Sequence, residues 1–228
     1  YEIKPYHNLM AILYNGTYYK IDSDNIVVKT LTPGFVSAKG KWYRGIIMIQ
    51  NKNGKLTVIN NVSLEDYIKG VVPSEMPSGW AFEAHKAQAI AARSYALANL
   101  GKRARFGYDL KDTPEDQAYG GASKETPDTN SAVEDTKGIV LTYNMKVINA
   151  YYSASAGGQT NVNSWGSSLP YLRSVPSFDD NVKKNGHGVG MSQHGANNLA
   201  KQGYNAYQIL QYFYKDVKFA RVDPQSYN

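Results

Sequence analysis

The chain has 228 residues, a length that suits one large domain or two small ones around a buried core. It contains no cysteine, which excludes disulfides, a thiol nucleophile and thiolate metal sites. Its net charge of +6 favours an anionic partner, but the 25 lysines and arginines form no long block, which argues against nucleic acid.

The first sixty residues predict a β meander. Short runs alternate apolar and polar side chains, and Asn-Gly and Pro-Gly pairs separate them as turn signals. We therefore expect an α+β fold with a β-rich N-terminal part over residues 1–60 and a core over residues 61–228, joined as one continuous globular unit. The clearest strand runs are 10–14, 26–29, 46–49 and 55–59.

A single acidic side chain, Glu75, lies between Pro73 and Pro77, after a short helix that begins near residue 63. Each proline fixes its own φ and disfavours the α conformation in the residue before it, so we expect an extended, stiff segment around Glu75. Nearby Met76 and Trp80 would provide apolar surroundings that raise a carboxyl pKa. The pattern suits a lone catalytic acid, although a solvated surface turn would have the same sequence.

Residues 81–100 contain eight alanines and neither glycine nor proline, which strongly predicts a helix. Alanine lies on all sides of this helix, so we expect other elements to enclose it. Arg93 would then be buried and would need a carboxylate or carbonyl acceptor, whereas Lys86 could reach solvent at the helix edge.

The second half of the chain predicts short helices, one hairpin and two glycine-rich loops. The loop at 153–160 offers hydroxyls and backbone amides that could line a groove for a polymer, although a turn and bulge would also explain it. The loop at 186–193 resembles a phosphate-cradling glycine loop before a helix. Neither loop has a P-loop pattern, and the histidines and serines lack metal-ligand or nucleophile-elbow spacing. The expected elements are a helix from 129 or 130 to 137, strands at 139–143 and 147–151, and helices to 202 and over 205–214.

Six sequence motifs follow one another along the chain, at residues 64–77, 83–95, 117–121, 136–143, 155–160 and 186–196. In this order they resemble the SpoIID/LytB family, the stage II sporulation protein D type of cell-wall lytic transglycosylase. The resemblance implies cleavage of the β-1,4 bond between N-acetylmuramic acid and N-acetylglucosamine in glycan strands stripped of stem peptides, during engulfment of the forespore. It also implies that Glu75 is the catalytic acid.

One carboxyl group can be enough for that reaction. Ordinary glycosidases need two, whereas here the 6-hydroxyl of the sugar is the nucleophile and the product is a 1,6-anhydro ring. Glu75 would protonate the glycosidic oxygen and then, as carboxylate, remove the hydroxyl proton. The side chains and glycines that we expect to line the glycan groove are Gln117, Tyr119, Ser155, Gly157, Gly158, Thr160, His187, Ser192 and Gln193.

The chain departs from the family at a zinc site and in one helix motif. Some members hold zinc through a His-Cys pair where this chain has Glu115 and Asp116, so we predict no zinc and no cofactor. Together with Asp109 these acids could hold a hard cation, but acids in a loop are more often solvated. His85 replaces a usual leucine, and we expect it to be buried and hydrogen-bonded.

The expected partners are glycan strands and a peptidoglycan amidase, and the expected state is a monomer. No apolar run suits a transmembrane helix or signal peptide. The resemblance implies an extracytoplasmic protein at the wall and forespore-engulfing membrane, and we expect an anchor N-terminal to residue 1 to hold it there. A non-catalytic wall-binding module that enhances an amidase is the alternative. An exported structural domain is a third possibility.

Overall fold

The computed structural model describes residues 1–162 and 169–223, which form two compact units. The first unit comprises residues 1–63 with 121–123, and the second contains the other described residues. The strands are β1 Glu2–Tyr6, β2 Leu9–Tyr14, β3 Thr17–Ile21, β4 Asn25–Val28, β5 Val36–Ala38, β6 Lys41–Tyr43, β7 Ile46–Lys52, β8 Lys55–Asn61, β9 Ile139–Tyr143, β10 Lys146–Val147, β11 Tyr152–Ser153, β12 Met191–Ser192 and β13 Lys218–Arg221. The α-helices are α1 Leu64–Glu75, α2 Phe82–Ala98, α3 Pro127–Asp135, α4 Gln193–Lys201 and α5 Ala206–Phe213.

The first unit is an antiparallel β structure whose sheets have the strand orders β1-β2-β3, β4-β7-β8 and β5-β6. Two of its hairpins turn at the predicted Asn-Gly pairs. Asn15 and Gly16 have φ of 47° and 79°, and Asn53 and Gly54 have 52° and 78°, as a type I′ turn requires. The predicted β meander is therefore confirmed, and its core is formed by Met10, Val36, Ile47 and Ile49.

The second unit is built around α2, which packs against α1, α3, α4, α5 and β9. Because alanine is small, neighbouring backbones can approach this helix from several directions. The prediction of an α+β fold with an enclosed alanine-rich helix is confirmed. The alanines of α2 that are at most 3% exposed are Ala84, Ala87, Ala89, Ala91, Ala92 and Ala96.

Arg93 on α2 is fully buried and forms a two-pronged ion pair with Glu65 on α1. Its Nε and Nη2 atoms donate to the two Glu65 oxygens at 2.8 and 2.7 Å, and Nη1 donates to the Ile139 carbonyl at 3.0 Å. The predicted need for a carboxylate and carbonyl partner is confirmed. Lys86 instead pairs with Glu83 and keeps 18% of its side chain exposed, as expected for a lysine at the helix edge.

The strand predicted over 147–151 is shorter in the structure, because β10 ends at Val147 and the Ile148 amide, which donates to the Leu141 carbonyl at 3.0 Å, makes the last contact with β9. The Asn149 amide donates to the Tyr171 hydroxyl at 3.2 Å, and the Tyr151 amide donates to the Asn149 carbonyl at 3.0 Å. The chain then forms β11, which pairs in parallel with β12. This pairing brings the two predicted glycine-rich loops side by side.

Helix α3 begins earlier than the sequence indicated. Thr126 is its N-cap and forms a capping box with Thr129, and Pro127 occupies the first turn. The predicted cap, Thr129 or Asn130, is therefore wrong, and Thr129 instead lies in the first turn, where it completes the capping box. None of the described helices is long and apolar enough to cross a membrane.

Candidate active site

Glu75 is the last residue of α1, so the prediction of an extended segment between two prolines is wrong. The helix continues through Pro73, although proline removes one backbone hydrogen bond there. In the same turn, the Gly70 carbonyl accepts hydrogen bonds from the Ser74 hydroxyl at 2.7 Å and from the Gly120 amide at 3.3 Å. The acid is consequently fixed to the end of a helix.

The two oxygens of the Glu75 carboxyl group have different surroundings. Oε1 accepts a 2.7 Å hydrogen bond from the Ala118 amide and a 3.4 Å bond from the Tyr152 hydroxyl. Oε2 accepts a 3.3 Å bond from Nε2 of Gln193. Since Oε1 is engaged by a short bond and a second donor, Oε2 is the oxygen better placed to carry a proton.

Burial raises the pKa of Glu75 above its ordinary value, and this effect outweighs the opposing hydrogen bonds from Ala118, Gln193 and Tyr152. The position at the C-terminal end of α1 also disfavours a negative charge, because the negative end of the helix dipole lies there. Met76, next in the chain, is 1% exposed and belongs to the core. The carboxyl group therefore holds its proton at a higher pH than a solvated glutamate would.

A chain of neutral polar groups leads to Glu75. The Tyr67 hydroxyl donates to Oε1 of Gln117 at 3.1 Å, and Nε2 of Gln117 donates to the Tyr152 hydroxyl at 2.8 Å. Burial raises the pKa of both tyrosines well above the usual range, so both remain protonated donors near neutral pH. Gln117 is fully buried, and Tyr119 packs its ring 5.0 Å from that of Tyr67. Two residues predicted for the groove thus lie in or beside this network.

Gln193 reaches Glu75 because it opens α4 directly after a capping residue. Ser192 accepts a hydrogen bond from the Gly195 amide at 3.0 Å, which fixes the first turn of the helix. Nε2 of Gln193 then bonds to both Glu75 and Oε1 of Gln88, each at 3.3 Å. Gln88 lies on α2 and is fully buried. The sequence analysis named Gln193 but missed Gln88.

One buried carboxylate, Asp179, connects the two glycine-rich loops. It accepts hydrogen bonds from the amides of Ala156 and Gly158 at 2.7 and 2.8 Å, from the Ser192 hydroxyl at 2.6 Å, and from the Ser177 hydroxyl. Burial alone would raise the pKa of Asp179, but these hydrogen bonds lower it. The group remains ionised near neutral pH and holds the loops together. No motif in the sequence pointed to it.

Ser155 and Thr160, both predicted for the groove, are buried with their hydroxyls turned to protein carbonyls. The Ser155 hydroxyl donates to the Lys183 carbonyl at 2.6 Å, and the Thr160 hydroxyl donates to the Arg173 carbonyl at 3.2 Å. In this arrangement both side chains shape the loop. Direct contact between them and a glycan stays a prediction, as it does for buried Ser192.

The remaining residues predicted for the groove are Gly157, Gly158 and His187. The two glycines have φ of 73° and 100°, a region that other residues rarely adopt, so backbone geometry requires them. His187 is partly buried, and its Nδ1 accepts a 2.9 Å hydrogen bond from the Val189 amide. Burial lowers the pKa of this imidazole, which favours the neutral form. Glycan contact by these residues also stays a prediction.

The predicted role of His85 as a buried, hydrogen-bonded side chain is confirmed. It is 1% exposed, and its Nε2 lies 3.0 Å from the Pro77 carbonyl. Because that carbonyl can only accept, the ring nitrogen donates. His85 thus fastens the loop that follows Glu75 to helix α2.

The acids considered for a hard cation are occupied by protein groups. Asp116 pairs with Lys102 at 2.7 Å and with Arg103 at 2.5 Å, and Glu115 pairs with Lys111 at 2.6 Å. Across residues 1–162 and 169–223, no three His, Cys, Asp or Glu side chains are grouped so that they could hold a metal ion. The Asp109 carboxylate accepts the Gly101 amide instead.

The Asp116 pair predicts a pH dependence of stability. Burial alone would raise the pKa of Asp116, but hydrogen bonds from Arg103 and Lys102 lower it from 3.8 to about 2. The stabilisation is complete above the usual pKa and disappears as the pH falls towards the folded-state value. We expect Asp116→Asn to remove about 2 kcal/mol of pH-dependent stability between about pH 5 and pH 2.

Urea unfolding at several pH values measures this contribution. The free energy of unfolding of the parent should fall more steeply in acid than that of Asp116→Asn. Parallel curves for the two proteins would show that the pair does not stabilise the folded state in this way.

Comparison with known proteins shows what this chain is similar to. Residues 52–143 match the model of the stage II sporulation protein family, SpoIID. A 163-residue alignment with an uncharacterized protein of Brachyspira hyodysenteriae shows 39% identity and covers 70% of this chain and 44% of that protein. An amidase enhancer of Bacillus subtilis is 48% identical over 107 residues, which are 46% of this chain and 14% of the enhancer.

Stage II sporulation protein D of Bacillus amyloliquefaciens is 28% identical over an alignment that covers 72% of this chain and 76% of that protein. The chain thus spans less than half of the first two relatives but about three quarters of the third. The family match contains Glu75, Gln88 and Gln117, three residues of the polar network described above. The match over residues 52–143, together with relatives named stage II sporulation protein D and amidase enhancer, supports membership of this chain in the SpoIID family.

Proposed function

We propose that the chain is a peptidoglycan lytic transglycosylase that cleaves the β-1,4 bond between N-acetylmuramic acid and N-acetylglucosamine. The observation that carries the proposal is the state of Glu75. Its carboxyl group is partly buried, has a raised pKa and is oriented by three neutral donors. Those are the properties that a general acid needs near neutral pH.

In the first step, the proton on Oε2 of Glu75 passes to the glycosidic oxygen as the bond from that oxygen to C1 of N-acetylmuramic acid breaks. The electron pair of the bond leaves with the oxygen, and C1 becomes positively charged. The resulting carboxylate is stabilised by the Ala118 amide, the Tyr152 hydroxyl and the Gln193 amide, each of which donates to it in the structure.

In the second step, the 6-hydroxyl oxygen of the same sugar attacks C1 and its proton passes to the Glu75 carboxylate. The product is the 1,6-anhydro ring, and the enzyme regains its initial protonation state. No second carboxylate in the described part of the chain hydrogen-bonds to Glu75 or shifts its pKa. An intramolecular nucleophile fits a site with one such group, whereas ordinary glycosidases use two.

The names of the relatives suggest the biological process in which this activity takes part. Relatives named stage II sporulation protein D suggest a role in sporulation, and we extend the proposal to glycan strands without stem peptides during engulfment. Substrate of this kind lies outside the cytoplasm, between the engulfing membranes. A net charge of +6 favours encounter with an anionic wall.

A second candidate is a non-catalytic module that binds peptidoglycan and stimulates an amidase. The observation in its favour is the 48% identity to an amidase enhancer over 107 residues. An amidase that removes stem peptides would also produce the stripped strands that the first candidate cleaves. The two candidates therefore share a partner and differ in whether Glu75 is used for bond cleavage.

Product analysis separates the two candidates. Purified glycan strands, with and without stem peptides, are incubated with the chain and analysed by mass spectrometry. Anhydro-ended fragments, formed faster from stripped strands, support the transglycosylase. Fragments with reducing ends would indicate a hydrolase instead. Intact strands, together with faster peptide release by an added amidase, would support the enhancer.

A further inference from the structure

Gln88 has a buried amide nitrogen without a hydrogen-bond partner. The residue is fully buried on α2, and Nε2 of its side chain is one of the few buried side-chain atoms in the described residues that lack a partner. Buried amide groups are almost always paired, and an unpaired donor costs more than an unpaired carbonyl. Its location beside Gln193 makes this exception relevant to Glu75.

The side chains of Gln88, Gln193 and Glu75 form a chain of contacts. Nε2 of Gln193 donates both to Oε2 of Glu75 and to Oε1 of Gln88, at 3.3 Å in each case. This direction of donation suits an ionised Glu75, because a carboxylate can only accept hydrogen bonds. It also leaves the Gln88 carbonyl facing Gln193 and the Gln88 nitrogen unpaired.

If the side-chain amides of Gln88 and Gln193 both rotate by half a turn, the direction of hydrogen-bond donation between them and Glu75 is reversed. The nitrogen and oxygen ends of an amide are similar in size, so a half rotation exchanges them with little steric change. The Gln193 oxygen would then accept from a protonated Oε2 of Glu75 and from Nε2 of Gln88. The unpaired Gln88 nitrogen gains a partner in this arrangement, and the Gln88 oxygen takes the unpaired place.

We propose that Gln88 is a positioning residue that stabilises the protonated form of Glu75 through a paired reversal of the Gln88 and Gln193 side-chain amides. Gln88 acts through Gln193 and does not touch the substrate. The inference rests on the proposed role of Glu75 as a general acid. It adds that the nitrogen and oxygen ends of both amides exchange places each time Glu75 gains or loses its proton.

Other ionisable groups do not provide this support. The phenols of Tyr67 and Tyr152 couple to Glu75, but burial raises the pKa of each well above the usual range, so they stay neutral while Glu75 titrates. His85 on α2 and His194 on α4 contact the Pro77 carbonyl and the Trp80 ring, respectively. The amides are left as the groups able to respond to the Glu75 proton.

The test is a carbon-13 NMR titration of the Glu75 carboxyl group, assigned by loss of its signal in Glu75→Gln. In Gln88→Met, which keeps the length of the side chain but cannot hydrogen-bond to Gln193, we expect the Glu75 midpoint to fall by about half a unit to one unit, as one net hydrogen bond would give. The alkaline limb of the pH profile of glycan cleavage should move by the same amount. An unchanged midpoint would overturn the inference.

Ser94→Ala is the matched control, since Ser94 is also a buried polar residue on α2 but bonds to the Ile90 carbonyl and the Leu141 amide. It should leave the Glu75 midpoint unchanged. In the parent chain, the side-chain amide signals of Gln88 and Gln193 should shift with the Glu75 midpoint, and pH-independent signals would contradict the reversal. The NMR titrations do not depend on catalytic activity. If the proposed function is wrong, only the product analysis will show it, whereas failure of this inference will appear in the titrations.

Discussion

Replacing Glu75 with glutamine is expected to reduce formation of the 1,6-anhydro product by about a thousandfold or more, because both proton transfers are lost. The substitution is nearly isosteric. Its oxygen can keep the bonds to the Ala118 amide and the Tyr152 hydroxyl, and its nitrogen would occupy the place of Oε2, facing Gln193. The variant therefore resembles the protonated acid, and we expect it to fold.

The measurement is the rate of anhydro-ended fragment release from peptide-free glycan, with thermal unfolding as the test of folding. Glu115→Gln is a suitable control, since that carboxylate is largely exposed and pairs with Lys111. It should retain the parental rate. A folded Glu75→Gln variant that releases anhydro fragments at the parental rate would remove Glu75 from the mechanism.

The largest expected effect on stability comes from the buried pair of Glu65 and Arg93. Glu65→Leu would leave a fully buried guanidinium without its carboxylate and is expected to lower the free energy of unfolding by about 3–5 kcal/mol. That loss is a large fraction of the stability of a typical domain. Urea unfolding monitored by circular dichroism measures it.

A double-mutant cycle gives this prediction its control. Glu65→Leu combined with Arg93→Met removes both charges, and we expect the double variant to be more stable than Glu65→Leu alone, because no unpaired buried charge is left. Breaking the exposed pair of Glu115 and Lys111 should leave stability nearly unchanged. Additive losses in the cycle would mean that the two buried charges do not depend on each other.

Much of the fold followed from local signals in the sequence. The type I′ turns at 15–16 and 53–54 require positive φ at both central positions, which few residues other than Asn and Gly tolerate. The two Asn-Gly pairs therefore identified their hairpins directly. The alanine content of α2 likewise predicted both a helix and its enclosure. Arg93 was correctly expected to have a buried acceptor, although the sequence could not say which carboxylate would supply it.

The candidate site was predicted less completely, because its contacts connect distant parts of the chain. The sequence singled out Glu75, but proline rules placed it in an extended loop, and no local signal reveals that Gly120 contacts the last turns of α1. Tyr152 follows a predicted strand and precedes a glycine-rich loop, a position that could have suggested a role. Asp179 and Gln88 carry no local signal.

The distribution of these contacts along the chain determines how much of it a working site requires. The family match ends at residue 143, whereas Tyr152, Asp179 and Gln193 all lie beyond it. A segment trimmed to the match would keep Glu75. It would lose Tyr152 and Gln193, which hydrogen-bond to the acid, and Asp179, which holds the glycine-rich loops together. The described site draws on residues from α1 to the start of α4, and α5 packs on the same central helix, so family boundaries alone would be a poor guide for cutting it out.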